Sequence, residues 1–581
     1  MNLPSHPEST YTLALIEIGC SLIAIVLAFV LPGFASRQLS AIEGALERVA
    51  RKRGLAVAVV GATTVLLRLA ILPLVPIPLP FVNDDFSFLL AADTFASGKL
   101  TNATPAMWIH FESFHITMNP TYMSMYFPAQ GLLLAAGKIL FGHPWFALLI
   151  VDGLMSAVLC WMLQAWLPPT WAFLGGMLAI LRIGLFSYWI NTYTGGALIT
   201  ALGGALILGS LPRLTRNMRL RYGMSMAVGI VLLATARPYE GCLLCIPVAV
   251  YLGHWLLFGK NRPIRAQLLR CASLPIALII AVGSWMAYYD FRVFGKPLTL
   301  PYTVNRATYA IAPYYVWQSP RSEPLYRHAA MREFYHHEEL KTYSKIHSIS
   351  GFIPTTLKKM TATVMFYAGM ALLFPLIMLR RVLLDRRIRL LIVCLFVAMA
   401  GIVIEIFLIP HYVAPFTAIF YALGLQAMRH LRVWKPRANP VGLAICRNIV
   451  LLCCFMAALR LFVAPLHIRI TEWPVSEWSG MWYGPDHFGT ERAKIEDQLE
   501  RLPGKQLAIV RYSDAHNSMD EWVYNSANID NSKVIWAREM DGANNDKLLR
   551  YYNDRQVWLV QPDLQEKMSS YSAQDRLIAQ K

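Results

Sequence analysis

The sequence predicts a polytopic α-helical membrane protein of about twelve transmembrane helices, with a small water-soluble α/β domain near its carboxyl end. Two observations predict this fold class. Of the 581 residues, 56% are hydrophobic and 15% are charged, a balance typical of chains whose main solvent is the bilayer. Apolar stretches of membrane-spanning length recur, and short polar joints separate them. The net charge of +18 therefore does not indicate a nucleic-acid-binding protein.

The basic residues are concentrated in particular short loops, which by the positive-inside rule face the cytoplasm. Counting crossings between these loops predicts that both termini are extracytoplasmic. The first span has no Lys or Arg ahead of it, so it lacks the basic region of a cleaved signal peptide and is expected to be retained. The predicted spans are residues 12–32, 55–79, 144–167, 170–189, 194–211, 222–239, 240–258, 271–289, 359–379, 390–409, 412–428 and 447–465.

Two domains are predicted, a membrane module at residues 1–465 and a soluble extracytoplasmic α/β domain at residues 466–581. The second segment holds 14 Lys and Arg against 18 Asp and Glu, and its apolar runs have the length of buried strands. The membrane module has two large outer loops, residues 80–143 and 290–358, and long ordered loops tend to carry function. Short elements are predicted in the first loop at 85–97 and 129–141, and in the α/β domain at 491–502, 506–512, 534–536, 544–552 and 556–560.

Two adjacent carboxylates, Asp84 and Asp85, follow the outer end of the second predicted span. Charged groups at this depth in a membrane protein are costly and require a partner or a function. One interpretation is that Asn83 or Asp84 only caps the following helix, because Asn and Asp are favoured there. On position alone the two interpretations stand about equal.

The neighbouring residues favour a functional site. The same outer loop offers His110, Glu112, His115 and Tyr126, and Arg237 emerges from a later span on the same side. A carboxylate can take the proton of an acceptor, and a cation can stabilise a leaving phosphate. The combination therefore suits group transfer from a phosphate-linked donor held in the lipid.

Four short motifs lie near the predicted outer ends of the spans. They are Asp84-Asp85-x-x-Phe88, Tyr126-Phe127-Pro128-Ala129, Ala236-Arg237-Pro238-Tyr239-Glu240 and His411-Tyr412-Val413-Ala414-Pro415. They resemble motifs of the lipid-donor glycosyltransferases of the GT-C fold, in particular the protein O-mannosyltransferase and aminoarabinose transferase group (glycosyltransferase family 39-like). The resemblance covers roughly residues 55–465. It is most specific in the first motif, which resembles an Asp-Glu-x-x-Tyr sequence at the start of the family's first large outer loop.

The resemblance implies a polyprenyl-phosphate-linked sugar as donor and a hydroxyl acceptor of unknown identity. It implies that Asp84 activates the acceptor hydroxyl and that Asp85 orients Asp84 or helps to bind the acceptor. Met125 stands where relatives often have a basic residue, so another cation is needed at the donor phosphate. Candidates for the phosphate are Arg237, His411 and Arg306, and candidates for substrate binding are His110, Glu112, His115, Tyr126 and Tyr412.

Other ionisable groups have structural interpretations. Asp152 and Arg182 fall at similar depth on consecutive antiparallel spans, so we expect them to pair with each other. The run His336-His337-Glu338-Glu339 is more typical of a solvated helix than of a metal site. No cofactor is certain from the sequence, although a role for a divalent metal stays open.

Together with its resemblance to this family, the sequence predicts an inverting glycosyltransferase of a bacterial inner (plasma) membrane that moves a sugar from a polyprenyl-phosphate donor to a hydroxyl on the periplasmic face. The first alternative is a secondary transporter or lipid flippase, which predicts charged groups near mid-bilayer and inverted repeats. The second is a non-catalytic envelope scaffold whose carboxyl-terminal domain binds a partner. The polar residues gather at the outer face, which favours the enzyme.

Overall fold

The computed structural model describes residues 12–463, 489–514, 516–517, 520–572 and 575. The predicted domain boundary near residue 466 and both chain ends lie outside this part of the chain. Within residues 12–463 the structure has twenty α-helices, and each predicted span contains at least part of one. They are α1 (Thr12–Val30), α2 (Ser36–Arg51), α3 (Arg53–Ala70), α4 (Asn83–Ala96), α5 (Pro128–Phe141), α6 (Trp145–Trp166), α7 (Pro169–Ala179), α8 (Tyr188–Asn191), α9 (Ala197–Arg216), α10 (Leu220–Ala236), α11 (Pro238–Phe258), α12 (Arg265–Phe294), α13 (Pro301–Tyr309), α14 (Ala329–Arg332), α15 (Leu340–His347), α16 (Ile349–Ala368), α17 (Leu379–Leu384), α18 (Arg389–Ile404), α19 (Thr417–Arg432) and α20 (Val441–Val463).

Several of these helices can cross a membrane. Six of the described helices are long and apolar enough by themselves, and five more apolar helices are shorter. A seventh crossing forms if the broken pair Ile349–Ala368 and Ala371–Leu384, bent by 102°, is one span. The break falls at Gly369 (φ +61°, ψ −178°), a backbone region essentially restricted to glycine. The chain is thus a helical membrane protein, and the number of about twelve crossings stays a prediction.

The two outer loops hold short elements beside the membrane helices. Helix α4 confirms the element predicted at 85–97, and α5 confirms the apolar segment predicted at 129–141. A short antiparallel pair, β1 (Ile116–Thr117) and β2 (Met123–Ser124), lies between them. The second loop contains α13, α14 and α15, and Asn305 of α13 donates a hydrogen bond of 3.2 Å to the carbonyl of Ile116. The two loops therefore pack together on one side of the bundle.

The carboxyl-terminal elements form a small α/β unit. Its strands are β3 (Lys505–Val510), β4 (Val534–Arg538), β5 (Arg555–Val560) and β6 (Met568–Ser570), and its helices are α21 (Thr490–Arg501) and α22 (Gly542–Tyr551). The strand order is β4-β3-β5-β6, with the first three strands parallel and β6 antiparallel at the edge. Each strand and helix predicted in this part of the chain is confirmed to within a few residues.

One side of this sheet continues into the core of the first outer loop. Leu507 and Ile535 of the sheet belong to the same buried cluster as Phe86 and Leu90 of α4. Tyr122 donates a hydrogen bond of 3.0 Å to the carbonyl of Asn525 across this contact. The α/β unit thus packs directly on the helix that carries Asp84 and Asp85.

The predicted pair of Asp152 and Arg182 is wrong. Arg182 donates to the carbonyl oxygens of Met365 (2.6 Å) and Phe366 (3.1 Å) on α16. Both carboxylate oxygens of Asp152 lie buried without a hydrogen bond among the described residues, and Arg68 is the cation that acts on them electrostatically. Similar depth on consecutive spans did not suffice to predict the pair. Arg182 lies in a π turn, Ile180–Gly184, which interrupts the regular α-helical spacing of side chains.

Candidate active site

Helix α4 begins with Asn83, Asp84 and Asp85 in its first turn. Carboxylates are stabilised there because they complement the partial positive charge of a helix amino terminus. The residue at the cap position is Val82, which is extended, and no side chain forms a cap hydrogen bond. Capping therefore does not account for the acidic pair, and the two carboxylates contact other parts of the chain.

Asp84 is held by three side chains from distant segments. Its Oδ1 accepts a hydrogen bond of 2.6 Å from the Tyr126 hydroxyl and lies 2.7 Å from His115 Nδ1. Its Oδ2 accepts from the Thr194 hydroxyl at 3.0 Å. The side chain keeps 14% of its surface exposed, so another molecule can reach it.

The pKa of Asp84 is held well below its usual range. Burial acts to raise it, but the charge and hydrogen bond of His115 and the hydrogen bond of Tyr126 together outweigh burial. Opposite charge and hydrogen bonds to the ionised form both favour the carboxylate. Asp84 is therefore ionised at any physiological pH.

Asp85 has a different environment. It is fully buried, and its two oxygens accept from the backbone N–H groups of Tyr193 (2.9 Å) and Phe81 (3.3 Å). Burial raises its pKa to about 7, which these backbone hydrogen bonds oppose. No outside group can reach its oxygens. The hydrogen bond with Tyr193 instead connects residues 191–196 to the start of α4.

The segment 191–196 arranges the site from the far side. Asn191 accepts a hydrogen bond of 2.9 Å from Arg68, which anchors the segment to α3. The two residues that follow Thr194 are Gly195 (φ +85°) and Gly196 (φ +62°). A Cβ on Gly195 would lie 2.9 Å from the ring of His411. Glycine is therefore required for the chain to turn while the imidazole packs against it.

Arg237 lies beside this turn. Its Nε donates to the Gly195 carbonyl at 2.9 Å, its Nη1 pairs with Glu240 at 2.8 Å, and its guanidinium stacks 4.2 Å from the ring centre of Tyr412. Since Thr194 holds Asp84, two consecutive residues link the carboxylate to the cation. Nη2 makes no hydrogen bond within the described part of the chain, so it can bind an added anion.

Three tyrosine hydroxyls border the same space. Those of Tyr302, Tyr314 and Tyr412 form no hydrogen bond with any residue that the structure describes, and all three side chains are only partly buried. Burial raises the pKa of Tyr302, and the charge of Arg237 opposes this shift. The Tyr302 ring also packs on Tyr126, with ring centres 5.8 Å apart. Unpaired hydroxyls beside a carboxylate and a cation are suited to bind a polar ligand.

The other two candidates for the phosphate are less available. The Tyr188 hydroxyl accepts from the backbone N–H of His411 at 2.9 Å and lies 2.7 Å from its Nδ1. Burial and the charge of Arg237 lower the pKa of His411, so its ring is neutral at pH 7. Arg306 pairs with Glu339 at 2.6 Å and also donates to the carbonyl of Ala312.

His110 and Glu112 are not brought onto Asp84. His110 Nδ1 lies 3.0 Å from the carbonyl of Arg538 in the α/β unit. Glu112 accepts from Tyr309 (2.9 Å) and pairs with Arg327 (3.1 Å), which joins the two outer loops. Their predicted role in substrate binding stays a prediction. The contacts observed link the first outer loop to the α/β unit and to the second outer loop.

The sequence analysis missed Thr194, Gly195 and Tyr302. A usable pattern was present, since Asn191-Thr192-Tyr193-Thr194-Gly195-Gly196 is a polar, glycine-containing run within an otherwise apolar stretch. Irregular backbone at membrane depth is tolerated where it lines a cavity. No pattern distinguished Tyr302 from the other tyrosines of the second loop.

A metal site is not evident among these residues. In the described ranges, no three His, Cys, Asp or Glu side chains are grouped so that they could hold an ion. His336 lies 3.4 Å from Glu323, and His337 lies 3.7 Å from Glu333. The sequence leaves a role for a divalent metal open, and the described residues offer no set of ligands for one.

Comparisons with known proteins give similarities of structure only. No family model matches the chain, and no curated protein matches it in sequence. Among solved structures it is similar to the Archaeoglobus fulgidus oligosaccharyltransferase in the apo form (12% identity, TM-score 0.45), covering 79% of this chain and 62% of that chain.

A second similar structure is ArnT from Cupriavidus metallidurans bound to undecaprenyl phosphate, with 10% identity, a TM-score of 0.46, and coverage of 86% of this chain and 93% of that one. A third is the archaeal oligosaccharyltransferase AglB from Archaeoglobus fulgidus in complex with an inhibitory peptide and a dolichol-phosphate (12%, TM-score 0.42, 88% and 69%). Identities and TM-scores at this level do not transfer a function, which has to be argued from the site itself.

Proposed function

We propose that this protein is an inverting glycosyltransferase of the GT-C type, which transfers a sugar from a polyprenyl-phosphate donor to a hydroxyl acceptor on the periplasmic face. One observation carries the proposal. A partly exposed carboxylate, Asp84, and a cation with a free nitrogen, Arg237, are held by the consecutive residues Thr194 and Gly195. A reaction in which one group loses a proton while a neighbouring group leaves as phosphate needs this pair of charges.

In the proposed step the acceptor oxygen attacks the anomeric carbon from the side of Asp84. The bond from that oxygen to the anomeric carbon forms while the bond from the carbon to the phosphate oxygen breaks, so the configuration inverts. Asp84 takes the acceptor proton. The polyprenyl phosphate leaves with the bonding electron pair, and its added negative charge is stabilised by Arg237.

The low pKa of Asp84 decides when the proton moves. A weakly basic carboxylate cannot deprotonate a free alcohol, whose pKa is far higher. Once the acceptor oxygen has begun to bond to the anomeric carbon it becomes strongly acidic, and Asp84 can then accept its proton. Asp85 has the more basic carboxyl group but is inaccessible, so we assign it a positioning role.

The test is a transfer assay with the purified protein in lipid nanodiscs. Undecaprenyl phosphate carrying a labelled sugar is mixed with an envelope extract as the source of hydroxyl acceptors. We expect label to enter the acceptor fraction with inverted anomeric configuration, and free undecaprenyl phosphate to appear in equal amount. Labelled donor that stays intact with every sugar and extract tried would contradict the proposal.

One observation favours transport instead. Asp152 lies within the membrane helices with no hydrogen bond in the described part of the chain, and such groups often mark ion or proton pathways. Movement of intact lipid-linked sugar across liposome membranes without sugar release would support a flippase. Such movement should be lost when the Asp152 carboxylate is replaced, whereas sugar transfer should be lost when the Asp84 carboxylate is replaced.

The pH dependence of transfer should depend on His115. In His115→Asn the interactions that lower the pKa of Asp84 most are removed, so burial dominates and that pKa rises. The ionised base is then lost at a higher pH, and the acid limb of kcat/KM moves to higher pH. Asn is chosen because His115 has a φ of +59°, which Asn tolerates. The exposed His337→Asn is the control, and coincident acid limbs in the two variants would refute the assignment.

A further inference from the structure

Glu405 is a buried residue whose carboxyl group is unpaired within the part of the chain that the structure describes. It directly follows α18 and is 8% exposed. Its side chain makes no hydrogen bond or ion pair with any residue in the described ranges, although Arg237 and Lys359 act on it electrostatically. An unpaired carboxyl group in a largely buried position is costly, and a polar ligand can offset that cost.

The backbone at Glu405 is nevertheless firmly held. Val316 donates to the carbonyl of Ile404 at 3.0 Å, and Ile406 donates to the carbonyl of Tyr314 at 2.8 Å. The ammonium group of Lys359 donates to the carbonyl of Glu405 itself. The main chain is thus fixed from the second outer loop and from α16, while the carboxyl group is left available.

Glu405 lies next to the tyrosines that border the candidate active site, since its backbone pairs with that of Tyr315 and the ring of Tyr314 lies 6.0 Å from that of Tyr302. Burial raises the pKa of Tyr314 to about 12, and the charges of Glu405 and Asp84 both add to that shift. Burial and then Glu405 raise the pKa of Tyr315. Glu405 also interacts electrostatically with Glu240 and Arg237. Tyr314 therefore lies within the electrostatic reach of both Asp84 and Glu405.

We propose that Glu405 binds the sugar ring of the donor by accepting a hydrogen bond from one of its substituents, a hydroxyl or a protonated amine. This rests on the proposed function for the location of the donor phosphate at Arg237. With the phosphate there and the acceptor at Asp84, the sugar ring lies among the tyrosines between them. Glu405 then distinguishes donors by their sugar, whereas Arg237 binds the phosphate that every donor shares.

The surrounding side chains suit a sugar. The hydroxyls of Tyr302, Tyr314 and Tyr412 have no partner in the described part of the chain. The ring of Tyr315 lies 5.0 Å from that of Tyr239 and is stacked on Trp317 at 4.8 Å. Aromatic faces with a few convergent polar groups are the usual composition of a small-molecule site.

The test compares the binding of lipid phosphate with and without a sugar. Farnesyl phosphate and farnesyl phosphate linked to glucose, mannose, galactose or glucosamine are titrated onto the protein in nanodiscs, with no acceptor present. We expect at least one sugar to strengthen binding. Glu405→Gln should weaken the binding of that donor by about 10–100-fold, the range expected for a hydrogen bond to a charged group. The affinity for farnesyl phosphate should change by less than twofold.

Glu338→Gln, the same change at an exposed position of the second outer loop, should alter neither affinity. Glu405→Asp, which keeps the charge, should lose less donor affinity than Glu405→Gln. This difference separates a loss of ligand binding from misfolding. Glucose and glucosamine donors distinguish a hydroxyl from an amine as the bound group. Equal weakening of bare and sugar-bearing lipid in Glu405→Gln, or no weakening of either, would overturn the inference.

The outcome is separable from that of the proposed function. Sugar-dependent binding that Glu405→Gln removes, without transfer to any acceptor, would leave the subsite standing and remove the enzyme assignment. Transfer by the wild-type protein that Glu405→Gln does not change for any sugar would keep the enzyme and remove the subsite.

Discussion

Replacement of Asp84 by Asn should reduce sugar transfer by about 10²–10⁴-fold, the typical contribution of a positioned base. Asn retains the shape of the side chain and can still accept from the Tyr126 hydroxyl, which lies 2.6 Å from Oδ1 in the wild-type protein. It cannot take the acceptor proton. The measurement is kcat for transfer from a labelled undecaprenyl-phosphate sugar, together with the affinity for that donor.

Donor affinity should change little, because the phosphate is assigned to Arg237. Asp93→Asn is the matched control on the same helix, since Asp93 is paired with Lys138 at the surface, with a distance of 2.5 Å. We expect this control to keep nearly full activity. Turnover of Asp84→Asn within threefold of the wild type would remove Asp84 from the reaction.

The second large effect is expected at Arg237. Its single replacement would leave Glu240 as an unpaired buried charge, which destabilises a protein by about 3–5 kcal/mol. We therefore expect a clean result from the double variant Arg237→Gln/Glu240→Gln. It should bind undecaprenyl phosphate about 10–100-fold more weakly, because a charge-assisted hydrogen bond of about 1.5–3 kcal/mol is lost.

Two further variants make the assignment to Arg237 specific. Glu240→Gln alone keeps the cation and releases its Nη1, which now pairs with Glu240 at 2.8 Å, so this variant should bind the lipid phosphate at least as tightly as the wild type. Arg306→Gln/Glu339→Gln removes the ion pair of a second phosphate candidate and should leave the affinity unchanged. Weakening in this last variant but not in Arg237→Gln/Glu240→Gln would move the phosphate to Arg306.

The α/β unit contributes to the position of Asp84. The Tyr524 hydroxyl donates to Asn83 Oδ1 at 2.9 Å, and the Tyr524 ring stacks on Phe86 with centres 4.1 Å apart. Both partners flank Asp84 and Asp85 in the first turn of α4. The carboxyl-terminal segment therefore contacts the first turn of the helix that carries the proposed base.

The sequence by itself determined the secondary-structure elements and the residue types of the site. Apolar length depends on nearby residues only, so a helix was found at every predicted span, and buried strands were found at residues 505–510 and 534–538. The acidic pair and Arg237 could be placed at helix ends for the same reason. Their residue types already indicated a base and a cation.

Only the tertiary structure decided which of these groups are available. Tyr126 lies 42 positions from Asp84 and Thr194 lies 110 positions away, and no local pattern encodes such contacts. Asp85, of the same residue type as its neighbour, is buried on backbone N–H groups, whereas the carboxyl group of Glu405 makes no hydrogen bond within the described part of the chain. Reactivity depends on burial and on partners from distant segments, and these are fixed only when the helices pack.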